Sequence, residues 1–196
     1  IIKEDDLDLQ MITAYRQGMD ALKKGDVIYA AKKFNEAELL YPQSRWASKA
    51  VLLSAYAYYS QNYYDRSIAE LERFIKKYPN HKNMDYAYFL LAMCYYENII
   101  DEKKDLEPLL LSKKKFEFIL KNYPDTDFAQ DAKFKIGLIQ DVLASKEMYI
   151  GKYYLKKQKW VAAINRFKTI LNKYETTIYV EEALHRLVET NYKIGL

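Results

Sequence analysis

Two histidines, one cysteine and a few adjacent carboxylates are the side chains of this sequence that could do covalent or metal chemistry. His81 and His185 stand far apart, and no HExxH, no Cys/His cluster and no glycine-rich phosphate loop accompanies either one. Glu181 and Glu182 fall where a helix is about to begin, a place where acidic groups complement the helix dipole. Cys94 lies between Met93 and Tyr95 and reads as a small buried hydrophobe. Being single, it supports no intramolecular disulfide framework and says nothing about the redox compartment. No catalytic residue, metal ligand or cofactor site is expected, so the reading is not an enzyme. Binding is the chemistry that remains, since the chain carries 20 Tyr, 8 Phe, 2 Trp and 5 Met.

The elements that would position those rings follow from an internal repeat. Gly18 is followed at +12 by Ala30, at +16 by Phe34, at +19 by Ala37 and at +24 by Pro42. That is the small-residue and aromatic spacing of a tetratricopeptide repeat, a helical hairpin of about 34 residues. Gly18 and Ala30 let two antiparallel helices approach, Phe34 fills the groove between them, and Pro42 stops the second helix. A second copy runs Ala55, Ser67, Leu71 and Phe74; a third Ala92, Ser112, Phe116 and Ile119; a fourth Gly151, Ala163, Phe167 and Ile170. Tyr41-Pro42, Tyr78-Pro79 and Tyr123-Pro124 close three of the copies, and Tyr174-Glu175 closes the fourth without its proline. The expected fold is therefore all-α: a solenoid of about five such repeats, the last incomplete, in one domain over 1–196.

The expected repeats occupy 7–42, 44–79, 83–124, 126–175 and 178–196. Residues 1–6 read as frayed, and Leu9, Ile12, Tyr15, Met19 and Leu22 mark the first helix, closed by Gly25 in a left-handed cap. Asp26, Ser44 and Asn83 are expected caps, Asp65 opens the second return helix, and 84–97 is a tyrosine-rich helix. Pro42 to Pro79 is 37 residues and Pro79 to Pro124 is 45, so a loop of roughly eight residues is inserted within 98–107; such insertions often make contacts. Pro108 suits the first turn after it. From 127 to 157 the sequence reads as one long helix, a break near Ser145 being the alternative. Trp160 to Lys173 is its return helix. The last helix, about 179–194, presents Ala183, Leu184, Leu187, Val188 and Tyr192 as an apolar stripe whose cover must come from further residues or another chain.

Composition narrows the partners. Half the residues are hydrophobic and only 5 Gly and 4 Pro interrupt them, which suits helices. A net charge of +4 without a basic tract argues against nucleic acid. No apolar run reaches 18 residues, so no membrane-spanning helix is expected. The start at Ile1, without Met, reads as a trimmed or processed form.

In the first helix of each repeat, positions 2, 5, 9, 12 and 13 face a concave groove. They are Ile12, Tyr15, Met19, Leu22 and Lys23 in the first repeat, and Lys49, Leu52, Tyr56, Tyr59 and Ser60 in the second. In the third they are Tyr86, Phe89, Met93, Tyr96 and Glu97. Tyr15, Met19, Leu52, Tyr56, Tyr59, Tyr86, Phe89, Met93 and Tyr96 are accordingly the expected walls for an extended peptide. Repeats that clamp chaperone C-termini place Lys and Asn at positions 5 and 9. Tyr15/Met19 and Leu52/Tyr56 stand there instead, which argues against that clamp.

Several stretches resemble one family. Arg73-Phe74-Ile75, Tyr78-Pro79-Asn80-His81, Asn83-Met84-Asp85-Tyr86 and Tyr123-Pro124-Asp125-Thr126 look like the BamD (ComL) family of outer-membrane β-barrel assembly lipoproteins. So do Lys146-Glu147-Met148, Gly151-Lys152-Tyr153-Tyr154, the run Ala162 to Phe167 and the run Glu182 to Leu187. The likeness covers roughly 9–196. The family's lipid-bearing cysteine, expected just before residue 1, and the second helix of a fifth repeat are not in this sequence. The resemblance implies a scaffold on the periplasmic face of the outer membrane, held by an N-terminal lipid absent from this chain. It also implies partners: the C-terminal signal of unfolded outer-membrane proteins in the N-terminal repeats, the BamA POTRA domain at the C-terminal repeats, and other lipoproteins of the same machine. Arg166, beside Asn165, matches the family arginine that meets an acidic POTRA residue. Two rivals are a periplasmic tetratricopeptide adaptor for cell-wall or envelope complexes, and an α-solenoid subunit of a prenyltransferase, which would want His, Asp and Cys ligands.

Overall fold

The computed structural model describes residues 4–98 and 106–195. Among the described residues there are nine helices and no strands: α1 (Glu4–Lys23), α2 (Val27–Leu40), α3 (Arg45–Ser60), α4 (Tyr64–Lys77), α5 (Met84–Glu97), α6 (Glu107–Asn122), α7 (Asp127–Lys156), α8 (Trp160–Lys173) and α9 (Val180–Lys193). They group into two compact units, one holding α1 to α6 with α7 up to Ala129, the other the rest of α7 from Gln130 with α8 and α9. The expected all-α architecture is therefore present. The insertion expected within 98–107 lies largely outside the described residues.

Local chemistry explains several helix ends. Asp26 accepts the Tyr29 N–H at 3.1 Å and Ser44 accepts the Trp46 N–H at 3.1 Å, both as expected of caps. Gly25 takes φ +80°, the left-handed stop. Each Tyr-Pro dipeptide opens a turn in which the N–H three residues on donates to the tyrosine carbonyl: Ser44 to Tyr41 at 3.0 Å, His81 to Tyr78 at 3.0 Å, Thr126 to Tyr123 at 3.3 Å. Proline presets φ for that turn. Thr177 bonds to Tyr174 at 3.1 Å in the same way, so the turn forms without the fourth proline.

Three expectations need correction. α1 begins at Glu4, because the polar start 4–6 continues the helical register instead of fraying. Asn83 occupies the cap position of α5 without a side-chain cap bond; its own N–H donates to His81 Nδ1 at 3.2 Å. The stripe on α9 is partly covered, since Ala183 and Leu187 pack into a core with Phe167 and Ile170 of α8, while Leu184, Val188 and Tyr192 (86 % exposed) face out.

Within each unit the hairpins close around one buried ring. Phe34, Phe74, Phe116 and Phe167 are all 0 % exposed. Phe34 lies against Gly18 and Phe167 against Gly151, so closely that a Cβ on either glycine would stand 2.8 and 2.5 Å from the ring. In the other two hairpins the small residue is Ala55 or Ala92, and its carbonyl accepts a buried hydroxyl, from Ser67 at 2.9 Å and Ser112 at 2.9 Å. Burying those hydroxyls costs little because each is bonded.

Between α2 and α4 sits a buried carboxylate. Glu38 is 2 % exposed, and it accepts from Arg73, from Lys77 at 2.6 Å and from the Tyr78 hydroxyl at 3.2 Å. Arg73 also reaches Glu70 at 2.6 Å and Asn35 at 3.2 Å. Burial alone would raise the Glu38 pKa. The bonds from Lys77 and Arg73 outweigh it and hold the carboxyl below its ordinary value.

The close approach and the buried carboxylate each make a testable claim. Gly151→Ala should lower the melting temperature, because overpacking costs roughly 1–3 kcal/mol against a helix gain of about 1. Gly137 in α7 has nothing within 4 Å of such a Cβ, so Gly137→Ala should raise it; equal shifts in thermal denaturation would contradict the ring-on-glycine contact. For Glu38, a depressed folded pKa means its stabilisation is full above the unfolded value near 4.5 and lost as pH falls through the lower folded one. Glu38→Gln should cost about 1–2 kcal/mol in urea denaturation at pH 7, since both cations are partly exposed. That gap should shrink towards pH 3, and a pH-independent gap would contradict the ionised form.

Candidate functional site

The first unit supplies three helices, α1, α3 and α5, whose aromatic residues are the expected walls of a peptide site. Small residues on one side of each helix (Gly18, Ala55, Ala92) are buried against the return helix. Met19, Tyr56 and Met93, one position on, are turned about 100° from that contact, while Tyr15, Tyr59, Phe89 and Tyr96, three before or four after, stand beside it on the same side of the helix. Tyr15, Tyr59 and Tyr86 are half-buried there, and Tyr56 is exposed.

The expected residues fall into distinct neighbourhoods. Tyr15 stands edge-on to Phe34 at 5.7 Å and to Trp46 at 5.2 Å, and Met19 packs beside it on the core of α1, α2 and α3. Tyr56 is 41 % exposed and Tyr59 is half-buried, tilted on Tyr64 at 5.9 Å. The Tyr86 phenol on α5 is pushed up to about 12, by burial first and then by the nearby Tyr56 and Tyr59. Burial and the charge of Glu97 raise Tyr59 as well. Tyr56, Tyr59 and Tyr86 therefore lie near one another across α3 and α5, and the phenols of Tyr59 and Tyr86 stay neutral.

Other expected walls serve packing. Leu52 is 6 % exposed and belongs to the core. Phe89 lies 5.8 Å from Phe116 and 5.1 Å from Phe128, and Phe128 also meets Tyr86 at 5.5 Å. The first turn of α7 thus reaches the rings of α5. Met93 and Tyr96 are half-buried on the same helix. Sequence reasoning missed Phe128 and Trp46. Trp46 follows the Ser44 cap by two residues, a signal that was legible; the contact of Phe128 with α5 joins residues about forty positions apart and was not.

The titratable groups are otherwise engaged. The His81 ring meets Phe74 edge-on at 5.1 Å, and burial followed by Lys82 and Lys49 keeps it below the usual imidazole range. Burial pushes the Cys94 thiol up to about 11 while it donates to Ser67 Oγ at 3.2 Å, far from an activated nucleophile. The Lys152 ammonium, 2.6 Å away, holds Glu182 below the ordinary carboxylate range. Among the described residues no group of three or more His, Cys, Asp or Glu could hold a metal ion. Among the same residues no helix is long and apolar enough to cross a membrane.

In the second unit, Arg166 of α8 bonds Glu147 of α7 through Nη1 at 3.1 and 3.3 Å and keeps 41 % of its side chain exposed. Asn165 is exposed beside it. The guanidinium is thus anchored through one nitrogen.

Paired helices with small residues at the close approach and a ring between them define a tetratricopeptide protein. A thermophilic TPR protein of Thermus thermophilus shares this fold, with a TM-score of 0.50 at 13 % identity over 92 % of this chain and 98 % of that one. A family model, YfiO, described as outer membrane lipoprotein, matches residues 7–196, and the chain belongs to that family. It is 39 % identical over 93 % of its length to the outer membrane protein assembly factor BamD of Caulobacter vibrioides. It is 37 % identical over 98 % to the protein of the same description in Rickettsia prowazekii. The chain spans 60 % of the Caulobacter relative and 76 % of the Rickettsia one.

Proposed function

We propose that the chain is a non-enzymatic scaffold of outer-membrane protein assembly. Its first unit receives the aromatic C-terminal segment of an unfolded β-barrel protein, and its second docks the POTRA region of BamA. An N-terminal lipid would hold it on the periplasmic side of the outer membrane, where other assembly lipoproteins are further partners. Family membership supports the assembly role. The observation that carries the peptide reading is the cluster of Tyr56, Tyr59 and Tyr86, whose rings pack while part of their surface stays open.

Magnitudes favour such a ligand. Two client rings burying about 200 Å² of apolar surface between them would contribute roughly 5 kcal/mol. Ordering a flexible peptide consumes much of that. The expected complex is therefore weak and tolerant of sequence, which suits a site that handles many unfolded chains. Hydroxyls that stay protonated at neutral pH can donate to and accept from a peptide backbone without selecting charge.

The double substitution Tyr56→Ala/Tyr59→Ala should weaken binding of a free peptide ending in alternating aromatics by tenfold or more, with helical circular dichroism unchanged. Equal affinity by calorimetry would remove the groove assignment. Arg166→Glu should loosen co-purification with the BamA POTRA region, whereas Glu147→Gln should not. Retention of the complex by both variants would remove Arg166 from the interface.

A further inference from the structure

Cations collect at one end of the aromatic face, and no carboxylate answers them. Arg45 and Lys49 place their charges 5.6 and 4.7 Å from the centroid of the same ring, Trp46. Lys82 is exposed on the turn before α5, and its charge and that of Lys49 both act on His81. Among the described residues Arg45, Lys49 and Lys82 make no ion pair. Asp85, the nearest acid in sequence, accepts the Tyr86 N–H at 2.8 Å. His81 Nδ1 accepts the Asn83 N–H at 3.2 Å, which leaves Nε2–H as a donor. The first turns of α3 and α5 add the positive ends of two helix dipoles.

This cluster is continuous with the rings. Trp46 touches Tyr15 at 5.2 Å. Lys49 and Tyr56 are seven residues apart on α3, hence on one face and about 10 Å apart along the axis. An extended chain covers that distance in about three residues. At the other end of α5 the charge is reversed: Glu97 acts on both Tyr59 and Tyr64. The face is therefore cationic at the helix starts and acidic at the end of α5.

We infer that Arg45, Lys49 and Lys82 bind the free C-terminal carboxylate of the peptide lying on the aromatic face, so that the site reads a chain end and a chain direction. This rests on the peptide reading above and names what its polar end recognises. The positions differ from those of the chaperone clamp, since only Lys49 lies on the first helix of a repeat at a groove position. A guanidinium and two ammoniums around a carboxylate give charge-assisted hydrogen bonds, stronger than neutral ones. Mutual repulsion among the unpaired cations favours the arrival of an anion.

The test compares one synthetic peptide with alternating aromatics and a terminal Phe as free acid, as C-terminal amide, and as an amide with a penultimate Asp. Binding is measured by calorimetry at low salt to the parent chain and to Arg45→Gln/Lys49→Met, both exposed or half-buried positions. The free acid should bind about tenfold tighter than either amide to the parent, and the double variant should abolish that difference. The His81 imidazole pKa, followed by NMR, should rise with the free acid and not with the plain amide. Equal binding of acid and plain amide overturns the inference while leaving the aromatic site standing. An Asp amide as tight as the free acid overturns it in favour of internal acidic segments. Failure of all three peptides to bind removes the peptide reading and this inference with it.

Discussion

The structure depends on one position repeated in four hairpins: a fully buried side chain (Phe34, Leu71, Phe116 or Phe167) set between two helices in register with a small residue of the opposing helix. Interiors pack at crystal-like density, so the distance between two helices is set by what stands at their crossing. With glycine at positions 18 and 151 the ring touches the opposing helix itself. With Ala55 and Ala92 the return helix supplies a serine in place of Ala30 or Ala163, and its hydroxyl bonds the alanine's carbonyl. Both solutions bring the helices close; one uses a missing methyl, the other a hydrogen bond. Where the small residue carries a Cβ, the residue twelve positions on (twenty in the hairpin with the insertion) carries the hydroxyl.

That contact also decides what is left for binding. Once one side of a helix is committed to the hairpin, the residues a third of a turn away are neither core nor free surface, and tyrosine suits such places because one ring has an apolar body and a polar tip. The consequence is visible in the phenols of Tyr15, Tyr59 and Tyr86, all raised by burial. They remain neutral donors and acceptors throughout the physiological range. Charge is placed elsewhere, either sealed with partners, as at Glu38, or gathered at helix starts, as around Trp46.

How much of this was legible in the sequence varies with the range of the interaction. Local signals were sufficient for α5 and α8, whose ends coincide with 84–97 and 160–173, and for α7, which runs without a break at Ser145. Spacing was sufficient for Phe34, Phe116 and Phe167, which share one repeat position; Leu71 holds it in the second hairpin, and Phe74 falls where the other copies have Ala37, Ile119 and Ile170. Asn83 misled because a residue type favoured at caps can leave its side chain unused when a neighbouring imidazole takes its N–H. The burial of Glu38 and the contact of Phe128 with Phe89 were not legible. Each joins elements 35 to 40 residues apart whose approach is fixed by packing and not by any local pattern. Within the candidate groove the same limit applies: the period marks which residues turn from the hairpin, and only the fold separates Leu52, which is core, from Tyr56, which is open.

Arg166 shows why an internal partner does not disqualify a residue from an external one. Its bond to Glu147 engages one nitrogen of a fork that carries five N–H donors. A long side chain held in this way has already lost much of its rotamer freedom, so a second carboxylate meeting the remaining donors would pay less ordering entropy than it would with a free arginine. The internal bond also neutralises part of the charge, which weakens the attraction a partner feels at a distance. These two effects oppose each other in affinity and agree in geometry. A partly anchored guanidinium accepts a carboxylate from a narrow range of directions, and its main contribution to the proposed docking would be to fix orientation.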